Sequence, residues 1–271
     1  MRLLTILPFL TFLTFLPLLS SFGPLLPSRL PPSSLPSSSH LHATIKTLSK
    51  PPRLPVWPVF PGIILNAIDL VNKDLAATAE DKLFGGRVAP MQFPDTTTSP
   101  FILLVHHRHR LNKYNPFNIL SKLILPEGFP AHPHRGFETV TMCMKGGMEH
   151  RDSYGLKQSY GADTDTPTQW LSAGEGLLHE EMWSKSKDQE LYQLWINLPR
   201  ELQMSKPVIS LVNNNQCPTE TTATTAGGVA TVTTVPRPPE NAGASVLIRH
   251  VSLSGSKATV TLPIATDHAT M

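Results

Sequence analysis

Cysteine is nearly missing from this chain of 271 residues: there are two, Cys143 and Cys217. Two cysteines exclude a disulfide framework and a cysteine-rich zinc site. Cys143 lies in a run that suits a strand, so a buried small residue is expected there. Acids are missing from the whole amino end, where the first is Asp69. Excess charge is scarce as well. Lys and Arg number 23 against 20 Asp and Glu, a net charge of +3, and much of that excess comes from the first 60 or so residues. Without that stretch there is no general basic surface, so no direct nucleic-acid binding is expected. A long apolar pattern of helical period is lacking too. Only Asn72 to Leu83 suits a short helix.

What is present divides the chain. After Arg2, residues 3–19 read LLTILPFLTFLTFLPLL, interrupted by Pro8 and Pro17. The run is short for a membrane span of about 20 residues, so no stable span is expected. It suits a secretory signal peptide, with a short retained anchor as the other reading. From Ser20 to about Gly62 the chain is rich in Ser and Pro, carries Arg29, Lys46, Lys50 and Arg53, and has no acid. Basic, Ser-rich and acid-poor composition is that of an organelle transit segment. Signal plus transit-like segment resembles a bipartite plastid presequence, so entry to the secretory pathway and onward passage to a plastid are expected. Secretion, with a disordered linker, is the alternative. Residues 1–65 are therefore set apart as a disordered targeting segment.

In residues 66–204 acids appear and apolar clusters recur at short intervals. Pro100 to His107, Lys122 to Pro130, Phe137 to Ser153, Thr168 to Trp183 and Glu190 to Pro199 read as short strands. Gly146-Gly147 and Asp163 to Pro167 read as turns. Thr139, Val140 and Thr141 are β-branched and favour strand. His106 to Arg110, HHRHR, reads as a solvated basic loop. Many short strands with Gly and Pro turns argue for an all-β sandwich or barrel. Residues 205–244 include low-complexity NNNQ, TETTATTAGG and PRPPENAG and read as a linker. Residues 245–271 then alternate like a strand pair, with Gly255 at the turn. Such a pair must join the main sheet or begin a second domain.

His132 and His134 stand two residues apart in HPHRGFE, and His179 and Glu181 stand two apart in LLHEEM. On a strand, residues i and i+2 face the same way. Two such pairs on facing strands converge three imidazoles and a carboxylate on one point. That set suits a divalent first-row metal, and with open positions it suits iron(II) that meets oxygen or substrate. Nickel, copper, manganese and zinc remain chemically possible. Glu180 alternates away from His179, while Glu138 is the acid nearest to the first pair.

Two longer strings carry a resemblance. FPAHPHRGFETVTMCMKGGMEHRDSYG, Phe129 to Gly155, and QWLSAGEGLLHEEMW, Gln169 to Trp183, followed by LYQLWINLP, resemble the N-terminal domain of the pirin family, within the cupin superfamily. The resemblance spans about Arg87 to Pro199. It implies a cupin jelly-roll barrel (a double-stranded β-helix), with residues 245–271 as the start of an incomplete second cupin domain. It also implies a single iron held by His132, His134, His179 and Glu181. Glu138 is not a ligand in that family, which leaves it a structural role, and His150, Arg151 and Asp152 would buttress the pocket. Two activities are implied. One is a quercetin 2,3-dioxygenase acting on a flavonol-like aromatic substrate, in which the metal acts as Lewis acid and Glu181 as the catalytic base. The other is a non-catalytic, iron-dependent, redox-sensitive regulator that binds a protein partner. A monomer is expected.

Overall fold

A computed structural model describes residues 54–55, 59–80, 82, 86–93, 98–110, 128–184, 188–223, 228–244, 246–254 and 260–266. All of them belong to the second of two compact units, Ser49–Met271. The targeting segment expected over 1–65 lies almost wholly outside the described residues.

The strands are β1 (Leu54–Pro55), β2 (Gly86–Gln92), β3 (Phe101–Arg110), β4 (Gly128–His134), β5 (Phe137–Lys145), β6 (Gly147–Asp152), β7 (Lys157–Gly161) and β8 (Thr168–Ser172). They continue with β9 (Leu177–Trp183), β10 (Asp188–Asn197), β11 (Val208–Val212), β12 (Thr219–Ala223), β13 (Val229–Val235), β14 (Leu247–Ser254) and β15 (Val260–Thr266). Helices α1 (Val59–Val71) and α2 (Lys73–Ala79) precede β2. The helix expected over Asn72 to Leu83 is α2. Asn72 caps it, its side-chain oxygen accepting from the backbone N–H of Asp74 and Leu75 at 3.0 Å each. An Asn here satisfies donors that the first turn leaves unpaired. Helix α1 starts within the stretch set apart as targeting segment. None of the described helices is long and apolar enough to cross a membrane.

The strand order identifies the architecture. One sheet contains β3-β10-β5-β8 in sequence, extended by β2 and β1 at one edge and β11 at the other. The second is β4-β9-β6-β7. From β3 to β6, and again from β7 to β10, successive strands alternate between the sheets. This is the eight-stranded jelly roll with its paired Greek keys, the all-β cupin barrel that the resemblance implies. HHRHR is not a loop: it ends β3, paired with β10 on one side and β2 on the other. A ladder on both edges leaves its backbone no freedom to solvate, whatever the charge of its side chains.

The first sheet is packed on both faces, which explains why β5 is buried at consecutive positions from Glu138 to Cys143. One side holds Cys143, Met148, Tyr160 and Leu191 between the two sheets. The other holds Val140, Met142, Trp170, Leu194 and Ile196 against Val235 and Ile248. Those last two belong to a third sheet, β12-β13-β14-β15. The strand pair expected after residue 245 is thus β14 and β15, and it joins a sheet of its own. Two of that sheet's strands, β12 and β13, come from residues 205–244, which read as a linker. Their Thr-Val content favours strand, and their low complexity hid it.

Arg237, just after β13, fastens this layer. Its guanidinium donates to both carboxylate oxygens of Glu138, with the Nη2–Oε2 bond at 2.7 Å. It also lies 4.5 Å from the centre of the Trp170 ring. Trp170 Nε1–H at 3.2 Å and Ser172 O–H at 2.7 Å complete the donors to Glu138.

Candidate metal centre

Strand β4 is an edge strand, which tolerates Pro133 because the missing N–H costs no ladder bond. Its register against β9 shifts between Phe129 and His132. Phe129 pairs with Glu181 and His132 with His179, so β4 carries one residue more than β9 across this interval. Such a bulge re-aims side chains. Here it brings Phe129, His132 and His134 to one face, where strict alternation would separate Phe129 from the histidines.

The result is a cluster. Nε2 of His132 lies 3.2 Å from Nε2 of His134 and 3.1 Å from Nε2 of His179. Two nitrogens each bound at about 2.1 Å to one ion stand about 3.0 Å apart at a right angle and about 3.4 Å apart at the tetrahedral angle. The observed separations fall in that range, so the three imidazoles fit a shared divalent ion. Among the described residues, His132, His134 and His179 are the group whose ligand atoms all lie within 4.8 Å of one another.

Protonation favours the same use. Burial, then repulsion from His132, pushes the His134 pKa down to about 3. Burial, then repulsion from His134, His132 and His150, pushes that of His179 down to about 2. Both are therefore neutral at physiological pH, the form that binds metal. The Nδ1–H of His132 donates to the carbonyl of Pro130 at 2.7 Å, leaving Nε2 with its lone pair.

Glu181, expected as a fourth ligand, is held by two hydrogen-bond donors. It shares a face with His179 and is 1% exposed. Its Oε1 accepts from the Tyr160 hydroxyl at 2.8 Å and its Oε2 from Gln193 at 3.1 Å. Burial, then the Glu181 charge, drives the Tyr160 phenol well above its ordinary pKa, so it stays a neutral donor. Glu138 lies among the buried residues behind β5, engaged by Arg237, Trp170 and Ser172. Glu180 is paired outward with Arg151 at 3.4 Å.

Several participants escaped the sequence reading. Tyr160 lies on β7, which lacks any apolar alternation to announce it. Gln193 and Trp195 are two apart on β10, and that spacing was the available signal. Trp195 stacks on Phe137 at 4.7 Å, and its ring meets that of His134 edge-on at 5.3 Å. The histidines therefore adjoin a flat aromatic wall. Gln169 is fully buried, and both of its amide atoms are without a hydrogen-bond partner among the described residues. At the Trp183 side of the interior, His107 and His109 pack their rings against Trp183, at 6.3 and 5.8 Å, and His107 meets Phe129 at 4.9 Å.

Residues 87–196 match the family model described as Pirin. A pirin-like protein of Solanum lycopersicum is 41% identical over 102 residues, which are 37% of this chain and 34% of that protein. Pirin of Mus musculus is 37% identical over 117 residues, 42% of this chain and 39% of that protein. The chain thus spans little more than a third of the length of these curated relatives. Among solved structures, a quercetin 2,3-dioxygenase from Acinetobacter baumannii superposes with a TM-score of 0.48 at 25% identity, covering 62% of this chain and 58% of that one.

Proposed function

We propose, from the premise that residues 87–196 form a pirin-family domain, that this barrel binds iron(II) and acts as an oxygenase on planar flavonol-like aromatics. The observation that carries the reading is the convergence of three imidazoles, with Nε2 of His132 lying 3.2 Å from that of His134 and 3.1 Å from that of His179, beside the Phe137–Trp195 wall. When bound, iron(II) supplies Lewis acidity and one-electron chemistry toward O₂, and other divalent first-row metals supply the first alone or both.

The residues of the chain have separable tasks. His132, His134 and His179 hold the ion. Phe137 and Trp195 offer a face on which a flat substrate stacks. Glu181 is the acceptor for an acidic substrate hydroxyl. Tyr160 and Gln193 fix the orientation of its carboxylate and leave each oxygen a further lone pair for that proton.

The test is oxygen uptake by the full chain, loaded with iron(II), when quercetin is added under air. Ring cleavage with matching O₂ consumption supports the oxygenase. A fully iron-loaded chain that consumes no O₂ with any flavonol overturns it and leaves a metal-dependent binding protein. Replacing Glu181→Gln is expected to lower turnover about 100-fold or more while leaving metal uptake in place, because the histidine trio is untouched.

A further inference from the structure

Both ring nitrogens of His179 are engaged. Nε2 faces the histidine cluster, and Nδ1 lies 3.4 Å from Nδ1 of His150. Two imidazoles meeting Nδ1 to Nδ1 need one proton between them, and either ring can carry it. Asp152 decides which. Its Oδ1 accepts from the backbone N–H of Tyr154 at 2.9 Å and of Leu156 at 3.0 Å. Its Oδ2 lies 3.2 Å from Nε2 of His150, and both side chains are wholly enclosed, at 0% exposure. The register makes this possible, since Asp152 pairs with His179 and His150 with Glu181 across β6 and β9.

A carboxylate only accepts, so His150 donates to it from Nε2. Of the ring's two tautomers, that donation selects the one with a bare Nδ1. The proton in the contact belongs to Nδ1 of His179, and Nε2 of His179 keeps its lone pair.

We propose that Asp152 and His150 form a hydrogen-bond relay that holds His179 in its Nδ1–H tautomer and so presents Nε2 to a divalent metal. Both are positioning residues, and their use rests on the metal reading above. His132 reaches the same tautomer by a separate route, through the Pro130 carbonyl. Partners of this kind orient a metal-binding imidazole, and removing one typically weakens metal binding about 10- to 100-fold.

Asp152→Asn tests the relay because it preserves the shape. Its Oδ1 keeps the two turn bonds, which directs the amide N–H toward Nε2 of His150. His150 must then accept there and carry its proton on Nδ1. That proton faces His179, whose own proton has to move to Nε2. The same inversion of an imidazole by an Asp→Asn change is known in a serine-protease triad.

Long-range proton–nitrogen NMR of the metal-free full chain reads the tautomer directly. His179 is expected as Nδ1–H in the wild type and Nε2–H in Asp152→Asn. Competition with a chelator, using zinc(II) as probe, should show about 10- to 100-fold weaker binding in the variant, with the melting temperature of the metal-free chain unchanged. If the variant fails to fold, the wild type alone decides: an Nε2–H tautomer at His179 overturns the relay. Unchanged tautomer and zinc affinity in a folded Asp152→Asn chain also overturn it. A wild type that takes up no zinc(II) refutes the metal reading instead, and the tautomer still judges the relay.

Discussion

His107 and His109 show what enclosure does to a titratable residue. Burial, followed by repulsion from His109 and His106, lowers the His107 pKa to about 3, and burial lowers that of His109 to about 4. Unfolded, each titrates near its ordinary value of about 6.5. A folded-state pKa below the unfolded one means that the unfolded chain binds more protons between the two values. Stability is therefore fully present above about pH 6.5 and falls as the pH drops toward 4. Urea unfolding of the metal-free chain at several pH values should show this decline. The double variant His107→Leu/His109→Leu should reduce the proton uptake on unfolding near pH 5 by about two. An unchanged pH slope would refute the neutral-pair assignment. The residue types of HHRHR were legible as basic, but their direction was not. Nothing local to the sequence says that the interior faces of β4 and β9 present Phe129 and Trp183 to them.

At the scale of elements, the i, i+2 rule carried most of the site. It brought together His132, His134 and His179, because strand alternation is fixed by the backbone and not by tertiary context. It also put Glu181 on the same face, but it says nothing of where a carboxylate turns once Tyr160 and Gln193 compete for it. The bulge in β4 was invisible for a related reason: an extra residue in one strand shows only against its partner. Turns with plain signals, such as the one at Gly146 that carries the chain from β5 in one sheet to β6 in the other, were readable. Gly147 is a sensitive point there, since a Cβ on it would meet the Tyr160 carbonyl oxygen at 2.5 Å. Gly147→Ala should force β6 and β7 apart, seen as faster amide exchange along β7 than in the wild type. Equal exchange would show that the β6–β7 pair absorbs the methyl.

For the molecule as a whole, the third sheet is fastened by a charge. Glu138 has a side chain at 0% exposure, and Arg237 lies 99 residues away in sequence. No spacing rule reaches across such a distance, so residues 205–244 read as linker while they contribute the guanidinium that neutralises a buried carboxylate. Arg237→Met leaves that carboxylate unpaired and should cost about 3–5 kcal/mol in chemical denaturation. Adding Glu138→Leu should return much of the loss, since a buried ion pair is often matched by apolar replacements. Equal instability of single and double variants would refute the ion-pair account.

The central claim is that one divalent metal sits on His132, His134 and His179. Elemental analysis of the purified full chain, loaded with iron(II) and desalted, tests it most directly, beside His134→Ala treated alike. One iron per wild-type chain and next to none in the folded variant is the expected result. Full iron in His134→Ala, or none in the wild type, would contradict it.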